Sequence, residues 1–333
     1  DTMTKEILNE IQPDFSAGIV EDLSMHDLDE KAIENFRKRR LEKTGNHNIQ
    51  TDNIKKILSD AELMRGEKLT YAALILLGKS EKISQHLPQA EIIFEWRNNP
   101  NQIHHDFRTS WRKPYLAVYD EIWATINARN IRTPYQEGFI QQEVFAFDEK
   151  ACREAVNNAV AHRNYSVAGQ SIIVHASSEY FSVISPEGYP KNITPENILT
   201  AVPHWRNRLI AESFEKTSLV ERSGQGIDTI FETSLRQGKG LPNFTGTTKD
   251  TVKINIPAQV RDIQFVKFLE KITNEKQIIL SFDEIYELEK LRHEQQRSSL
   301  QHKEKFLKLG IIEKIRKKRG TQYVLSHKYY EHS

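Results

Sequence analysis

Glu154-Ala-Val-Asn157-Asn158-Ala-Val-Ala161-His162-Arg163-Asn164-Tyr165 is the stretch that decides how this chain is read. Asp148 stands just upstream, a residue type suited to capping a helix N-terminus. On the helix that follows, Glu154 and Asn158 are four apart and share one face. That face pairs a carboxylate able to activate water with an amide oxygen able to hold Mg²⁺. Asn157 points another way and reads as structural. A Glu-x-x-x-Asn pair on its own also describes a surface carboxylate beside an amide bonded to a loop. The chemical reading therefore rests on what comes next in the chain.

Two further motifs follow in order. Ser185-Pro-Glu-Gly188-Tyr-Pro190 reads as a turn after a strand, and Arg222-Ser-Gly224-Gln225-Gly226-Ile227 reads as the opening of a helix. Backbone N–H groups at such a glycine-rich opening can cradle phosphate oxygens; the same residues also suit an ordinary flexible loop–helix junction. Between Pro190 and Ser223, Lys191, His204, Arg206 and Arg208 belong either to a lid over a ligand or to a solvated surface. His162 and Arg163 close the Glu154 helix. Arg163 is a candidate phosphate contact, and a basic pair at a helix C-terminus also suits the helix dipole.

The ordered trio resembles the ATP-binding half of a bacterial family of RecG-related putative helicases and transcriptional regulators. In that family an AlbA-type, Schlafen-like domain precedes an ATPase-like domain of the gyrase, heat-shock chaperone, histidine-kinase and MutL (GHKL, or Bergerat) class. A winged helix often closes the chain. The resemblance runs from about Phe15 to the C-terminus and is densest from Glu154 to Ile256. It implies Glu154 as general base and Asn158 as Mg²⁺ ligand. It also implies Arg163, Gly188, Gly224, Gln225 and Gly226 around a nucleotide, ATP with Mg²⁺. An AlbA-type domain would lie upstream of this chain. One departure stands out. Gyrase-type enzymes bind the adenine amine with an Asp before the glycine turn, and here Ile184 or Ser185 takes that place, followed by Pro186-Glu187. The departure puts adenine specificity in question.

Composition bounds the rest. Lys and Arg number 47 against 46 Asp and Glu, a net charge of +1, and the chain has one cysteine. That cysteine, Cys152, excludes an intrachain disulfide and a Cys-rich zinc site and reads as core. The longest apolar run, Tyr71–Leu77, is far short of the roughly 20 residues of a membrane helix, so the expectation is a cytoplasmic protein without a membrane partner. Gly78-Lys79-Ser80 imitates the end of a P-loop, but Ala73 stands where the first glycine belongs. No second helicase motif follows. His104-His105-Asp106 is set on an expected strand over 103–111, where adjacent side chains face opposite ways and cannot share a metal.

Charge changes after residue 260. Residues 261–333 carry 16 Lys and Arg against 11 Asp and Glu, net +5, which leaves −4 for the rest. Helices are expected at Asp262–Ile272, from Ser281, and over about Glu294–Leu309, followed by a hairpin with the basic tip Arg316-Lys-Lys-Arg319-Gly320. Three helices and a β-wing make a winged helix-turn-helix. Gln295, Gln296, Arg297, Ser299 and His302 would face bases, and Lys314, Arg316, Lys317, Lys318 and Arg319 would meet phosphates. A winged helix used for dimerisation or protein contact is the competing reading.

The expected fold is α+β in three parts: a helical connector (1–65), a GHKL-like α/β sandwich with its N-terminal extension (66–260, motif core 142–257), and the winged helix (261–333). Further helices are expected from a cap at Asp27 or Asp29 to about Lys43, from Asp52 to Leu63, after Thr70, from Pro114, and at 206–217 and 226–237. Strands are expected at 91–97, Val144–Phe147, Ser171–His175, Tyr180–Ile184 and Val252–Ile256. The leading functional reading is a nucleotide-responsive DNA-binding transcriptional regulator, a weak Mg-dependent ATPase if Glu154 works as base. Its partners would be nucleotide, duplex DNA and, for a homodimer, a second copy. The rivals are a non-enzymatic DNA-binding or assembly scaffold with a degenerate ATPase-like domain, and part of a nucleic-acid processing or phage-defence enzyme whose catalytic domain lies upstream.

Overall fold

A computed structural model describes residues 14–137, 140–186, 188–189, 193–202, 204–220, 226–293, 300–317 and 320–330. The first helices are α1 (Glu30–Thr44), the single turn α2 (Asn48–Thr51) and α3 (Ile54–Asp60). Asp29 accepts the Ala32 N–H and caps α1. Gly45 ends it at φ 65°, a left-handed conformation that glycine adopts without a Cβ penalty. A two-residue hairpin, β1 (Met64–Arg65) with β2 (Lys68–Leu69), leads into α4 (Tyr71–Leu77), where Thr70 accepts the Ala73 N–H. Ala72 to Leu77 are all buried, so the apolar run is a core helix. α5 (Ser80–His86) follows at once, a helix the sequence reading did not place.

β3 (Ile92–Arg97) and β4 (Phe107–Trp111) pair antiparallel. The strand expected over 103–111 starts only at Phe107. Asp106 accepts the Asn98 N–H at 2.7 Å and closes a turn, which leaves His104 and His105 in an exposed loop rather than on two strand faces. After α6 (Tyr115–Asn127), β5 (Arg132–Glu137) and β6 (Ile140–Phe145) form a hairpin that, among the described residues, pairs with no other strand. The sequence reading had one strand at Val144–Phe147 and missed β5. Pro134 lies inside β5, a residue that strands tolerate at edges, and both strands of a lone hairpin are edges.

α7 (Glu149–His162) begins where Asp148 accepts the Ala151 N–H at 3.1 Å. β7 (Ile172–Ser177) and β8 (Tyr180–Pro186) make the expected hairpin; α8 (Arg208–Lys216), α9 (Gly226–Arg236) and β9 (Thr251–Pro257) follow. The main sheet runs β4-β3-β7-β8-β9, parallel only between β3 and β7. α7 lies on β7 and β8 with α6, α8 and α9 beside it. Helices packed on one mixed sheet make the class α+β. A single apolar core joins Val20, Phe36 and Leu76 to Phe94, Val156 and Phe181. It runs through residue 65 without a break.

A second core gathers Phe265, Phe268, Leu288, Phe306, Ile311 and Leu325. It belongs to α10 (Ile263–Lys276), α11 (Phe282–His293), α12 (Lys303–Leu309) and the antiparallel hairpin β10 (Ile312–Lys317) with β11 (Gly320–Leu325). Asp262 caps α10 through the Phe265 N–H, and Gly310 at φ 70° ends α12. The third helix, expected from about Glu294, is described only from Lys303. Gln295, Gln296, Arg297 and Ser299 lie outside the described residues, as do Lys318 and Arg319. Among the described residues no helix is long and apolar enough to cross a membrane.

Candidate functional site

α7, α8, α9, the strands β8 and β9, and residues from 193–202 and 204–206 surround a cavity of about 490 Å³. That volume falls in the ~300–1,000 Å³ range of small-molecule pockets. Glu154, Asn158 and His162 stand on its α7 wall, and Gly188 and Gly226 also line it. The cavity thus draws together residues from all three sequence motifs. Gly224 and Gln225 lie outside the described residues.

The register of α7 is set by a residue next to the site. Asn157 is fully buried, accepts the Tyr115 hydroxyl at 2.6 Å and donates from Nδ2 to the Leu219 carbonyl at 2.8 Å. Its fixed amide holds α7 against α6 and against the segment after α8. One position further along, Asn158 is half-buried and faces the cavity. Glu154 is buried and touches α9. A Cβ built on Gly226 would sit 1.8 Å from Glu154 Oε1 and 2.6 Å from its carboxyl carbon. Any larger residue would push the Glu154 carboxylate aside, so Gly226 has a packing reason independent of any phosphate. Gly188 has one too: its Cβ would meet the Lys249 carbonyl oxygen at 2.5 Å.

Arg163 departs from the expectation. It is fully buried, and its guanidinium donates to the carbonyls of Asn164 (2.6 Å), Val167 (3.0 Å) and Gln170 (2.5 Å). These bonds close the loop after α7 and commit the guanidinium to backbone carbonyls, and Arg163 is not among the residues that line the cavity. His162 does line the cavity. Burial lowers its pKa to about 4, with Arg206 and then His204 pressing in the same direction. The ring is neutral at pH 7 and brings no positive charge.

The expected lid is tied down near its middle. Arg206 donates to the His162 carbonyl at 2.8 Å and to the Gly188 carbonyl at 3.3 Å. Asn207 donates from Nδ2 to the carbonyls of Ala161 and Arg163 at 2.9 and 2.7 Å. Arg208 pairs with Glu212 and lies 3.8 Å from Glu62. Sequence reasoning missed Asn207 and the apolar walls contributed by Ile198, Trp205, Phe214 and Phe244. The amphipathic pattern Leu209-Ile210…Phe214 was the available signal for α8. Ser185, one of the two residues at the place where gyrase-type enzymes carry an Asp, donates its hydroxyl to the Ala159 carbonyl at 3.3 Å.

In the C-terminal part, His302 stands at the start of α12 with Nδ1 bonded to Glu287 Oε2 at 2.8 Å, and Glu287 also accepts the His302 N–H at 3.0 Å. This ring is committed inside the fold, which argues against its reading a base. Lys314 is exposed on β10; Arg316 and Lys317 are placed as backbone of the same strand. Among the described residues no group of three or more His, Cys, Asp or Glu could hold a metal.

Residues 169–256 match a family profile described as "Putative ATP-dependent DNA helicase recG C-terminal". This RecG-related, ATPase-like segment covers β7, β8, α8, α9 and β9. Residues 2–93 match a domain family of unknown function, DUF8451. No curated protein matches significantly. Among solved structures, the DIP2311 protein from Corynebacterium diphtheriae is similar, with a TM-score of 0.66 at 20% identity. The alignment covers 78% of this chain and 50% of that one, so the chain spans half the length of that protein. At this identity the likeness concerns the fold.

Proposed function

We propose that the chain is a nucleotide-responsive DNA-binding regulator. A GHKL-like site for ATP and Mg²⁺ lies in the cavity, and a winged helix over 261–333 contacts duplex DNA. The observation that carries the reading is the placement of Glu154 and Asn158, from the helix just before the segment with RecG-type ATPase-like character, around one cavity with Gly188 and Gly226 from within that segment. The chemistry fits Mg²⁺ in kind: Mg²⁺ takes few protein oxygens and completes its shell with phosphates and water. Asn158 Oδ1 would supply such an oxygen, and the bound ion would neutralise phosphate charge. Glu154, one turn away, would position water as general base. The apolar walls would hold the base, with Ser185 in place of the Asp of gyrase-type enzymes.

The commitment of Arg163, Arg206 and Arg208 to protein acceptors favours the rival, a scaffold that has lost nucleotide chemistry. A thermal-shift titration separates the two. Mg-ATP at 100 times its Kd adds ~2.7 kcal/mol of stability, which raises Tm by several degrees at ~2–4 °C per kcal/mol. No shift with any nucleoside triphosphate up to millimolar concentration would leave the scaffold reading standing.

A further inference from the structure

α9 is shared between the two cores of the molecule. Ile230 is buried in the main core, and Leu235, five residues on, is buried in the C-terminal core. At ~100° per residue those side chains lie about 140° apart around the helix, so one rod is held from two sides. Its first residue, Gly226, rests on the Glu154 carboxylate. Its last residue, Arg236, donates to the Leu280 carbonyl at 2.6 Å, immediately before α11. Like charges also meet along this joint: burial raises the Asp228 pKa, and Asp283 of α11 adds to the rise.

We propose that α9 is a lever that transmits the state of the cavity to the C-terminal domain, with the Glu154–Gly226 contact as its input and the Leu235–Arg236 contact with α11 as its output. Which ligand drives it rests on the nucleotide reading; the lever itself does not. An anion that approaches the first turn of α9 meets the Glu154 carboxylate already there. Like charges repel, so the carboxylate shifts or a cation intervenes. Either event changes what presses on Gly226. Because a close-packed interior deforms little and transmits strain, a shift at the start of α9 reaches the residues it buries in the second core.

The test is hydrogen–deuterium exchange on the full chain, read at the amides of 282–293. Gly226→Ala forces Glu154 away with no ligand present. The expected result is an exchange change of at least about fivefold in 282–293, the lower end of ordinary coupling between sites. Ile83→Val, a change in the main core away from α9, leaves those amides unaltered. Should Gly226→Ala not fold, Glu154→Ala is the second perturbation, since it removes the contact without adding bulk. With Mg-ATP, the wild type responds in the same amides, and Arg236→Ala binds with unchanged Kd but loses the response at 282–293. Unaltered exchange there in a folded Gly226→Ala or Glu154→Ala protein overturns the lever. If the wild type binds no nucleotide while the substitutions still propagate, the lever stands and the nucleotide reading falls.

Discussion

Glu154 and Asn158 carry separable parts of the proposed chemistry. Glu154→Gln keeps the size of the side chain and removes the base, so it should retain nucleotide binding and lose most turnover in a phosphate-release assay. Asn158→Ala should weaken binding with Mg²⁺ far more than with EDTA; an equal loss in both conditions would remove Asn158 from the metal site. His162 gives a pH signature. Its folded pKa, about 4, lies below its ordinary value of 6.5. Between those values the unfolded chain binds more protons, so stability falls as pH drops through that window. The full shift corresponds to ~3 kcal/mol, and partial exposure of the ring reduces it to ~1–2 kcal/mol. His162→Gln should therefore flatten Tm between pH 7 and 4.5, and an unchanged slope would point to another group. At this scale the sequence exposes identity and spacing but not commitment. That Glu154 and Asn158 line one cavity was legible because four-residue spacing fixes a shared face. Arg163 was not, because the carbonyls that occupy it belong to a loop whose path no local pattern encodes.

The caps of α7 and α4 were readable before any coordinates, since Asp148 and Thr70 each sit directly before an apolar period and accept the expected N–H. Asp148 does more than cap. Its second oxygen accepts Gln237 Nε2 at 3.0 Å, which fastens the start of α7 to the end of α9. Loss of a cap costs ~1 kcal/mol and loss of a further hydrogen bond ~1 kcal/mol. Asp148→Ala should thus destabilise the chain by ~2 kcal/mol in urea unfolding, and Asp148→Asn, which still accepts, by clearly less. Elements whose signals conflict were missed: Pro134 argues against a strand, yet β5 forms as one edge of a lone hairpin. The cavity itself was not legible. Its walls come from α7, α8, α9, β8 and β9, and nothing local says that Trp205, Phe214 and Phe244 meet.

Across the whole molecule, charge is the feature that sequence reports most directly. A net of +5 after residue 260 against −4 before it creates a field that persists over about a Debye length, ~8 Å at physiological salt. The structure gives that basic segment a core, to which Leu235 of α9 also contributes, and a hairpin, β10–β11; Lys318 and Arg319, between its two strands in sequence, lie outside the described residues. A basic hairpin tip beside three helices suits backbone contact with duplex DNA. On the proposed winged-helix reading, base contact would fall to Gln295, Gln296, Arg297 and Ser299, which lie outside the described residues. The two roles respond differently to salt. Each phosphate neutralised on B-DNA adds ~0.9 to the slope of log K against log salt. Neutralising Lys317, Lys318 and Arg319 together should weaken binding to all duplexes alike and lower the slope by ~2–3 units. Gln296→Ala or Arg297→Ala should instead cost a preferred site ~1–3 kcal/mol and leave random duplex nearly unaffected. Fluorescence anisotropy on preferred and random duplexes across a salt series distinguishes these outcomes. If the full chain binds no duplex even at low salt, the basic surface serves protein contact, because a DNA-binding surface of this charge must at least show the non-specific electrostatic term.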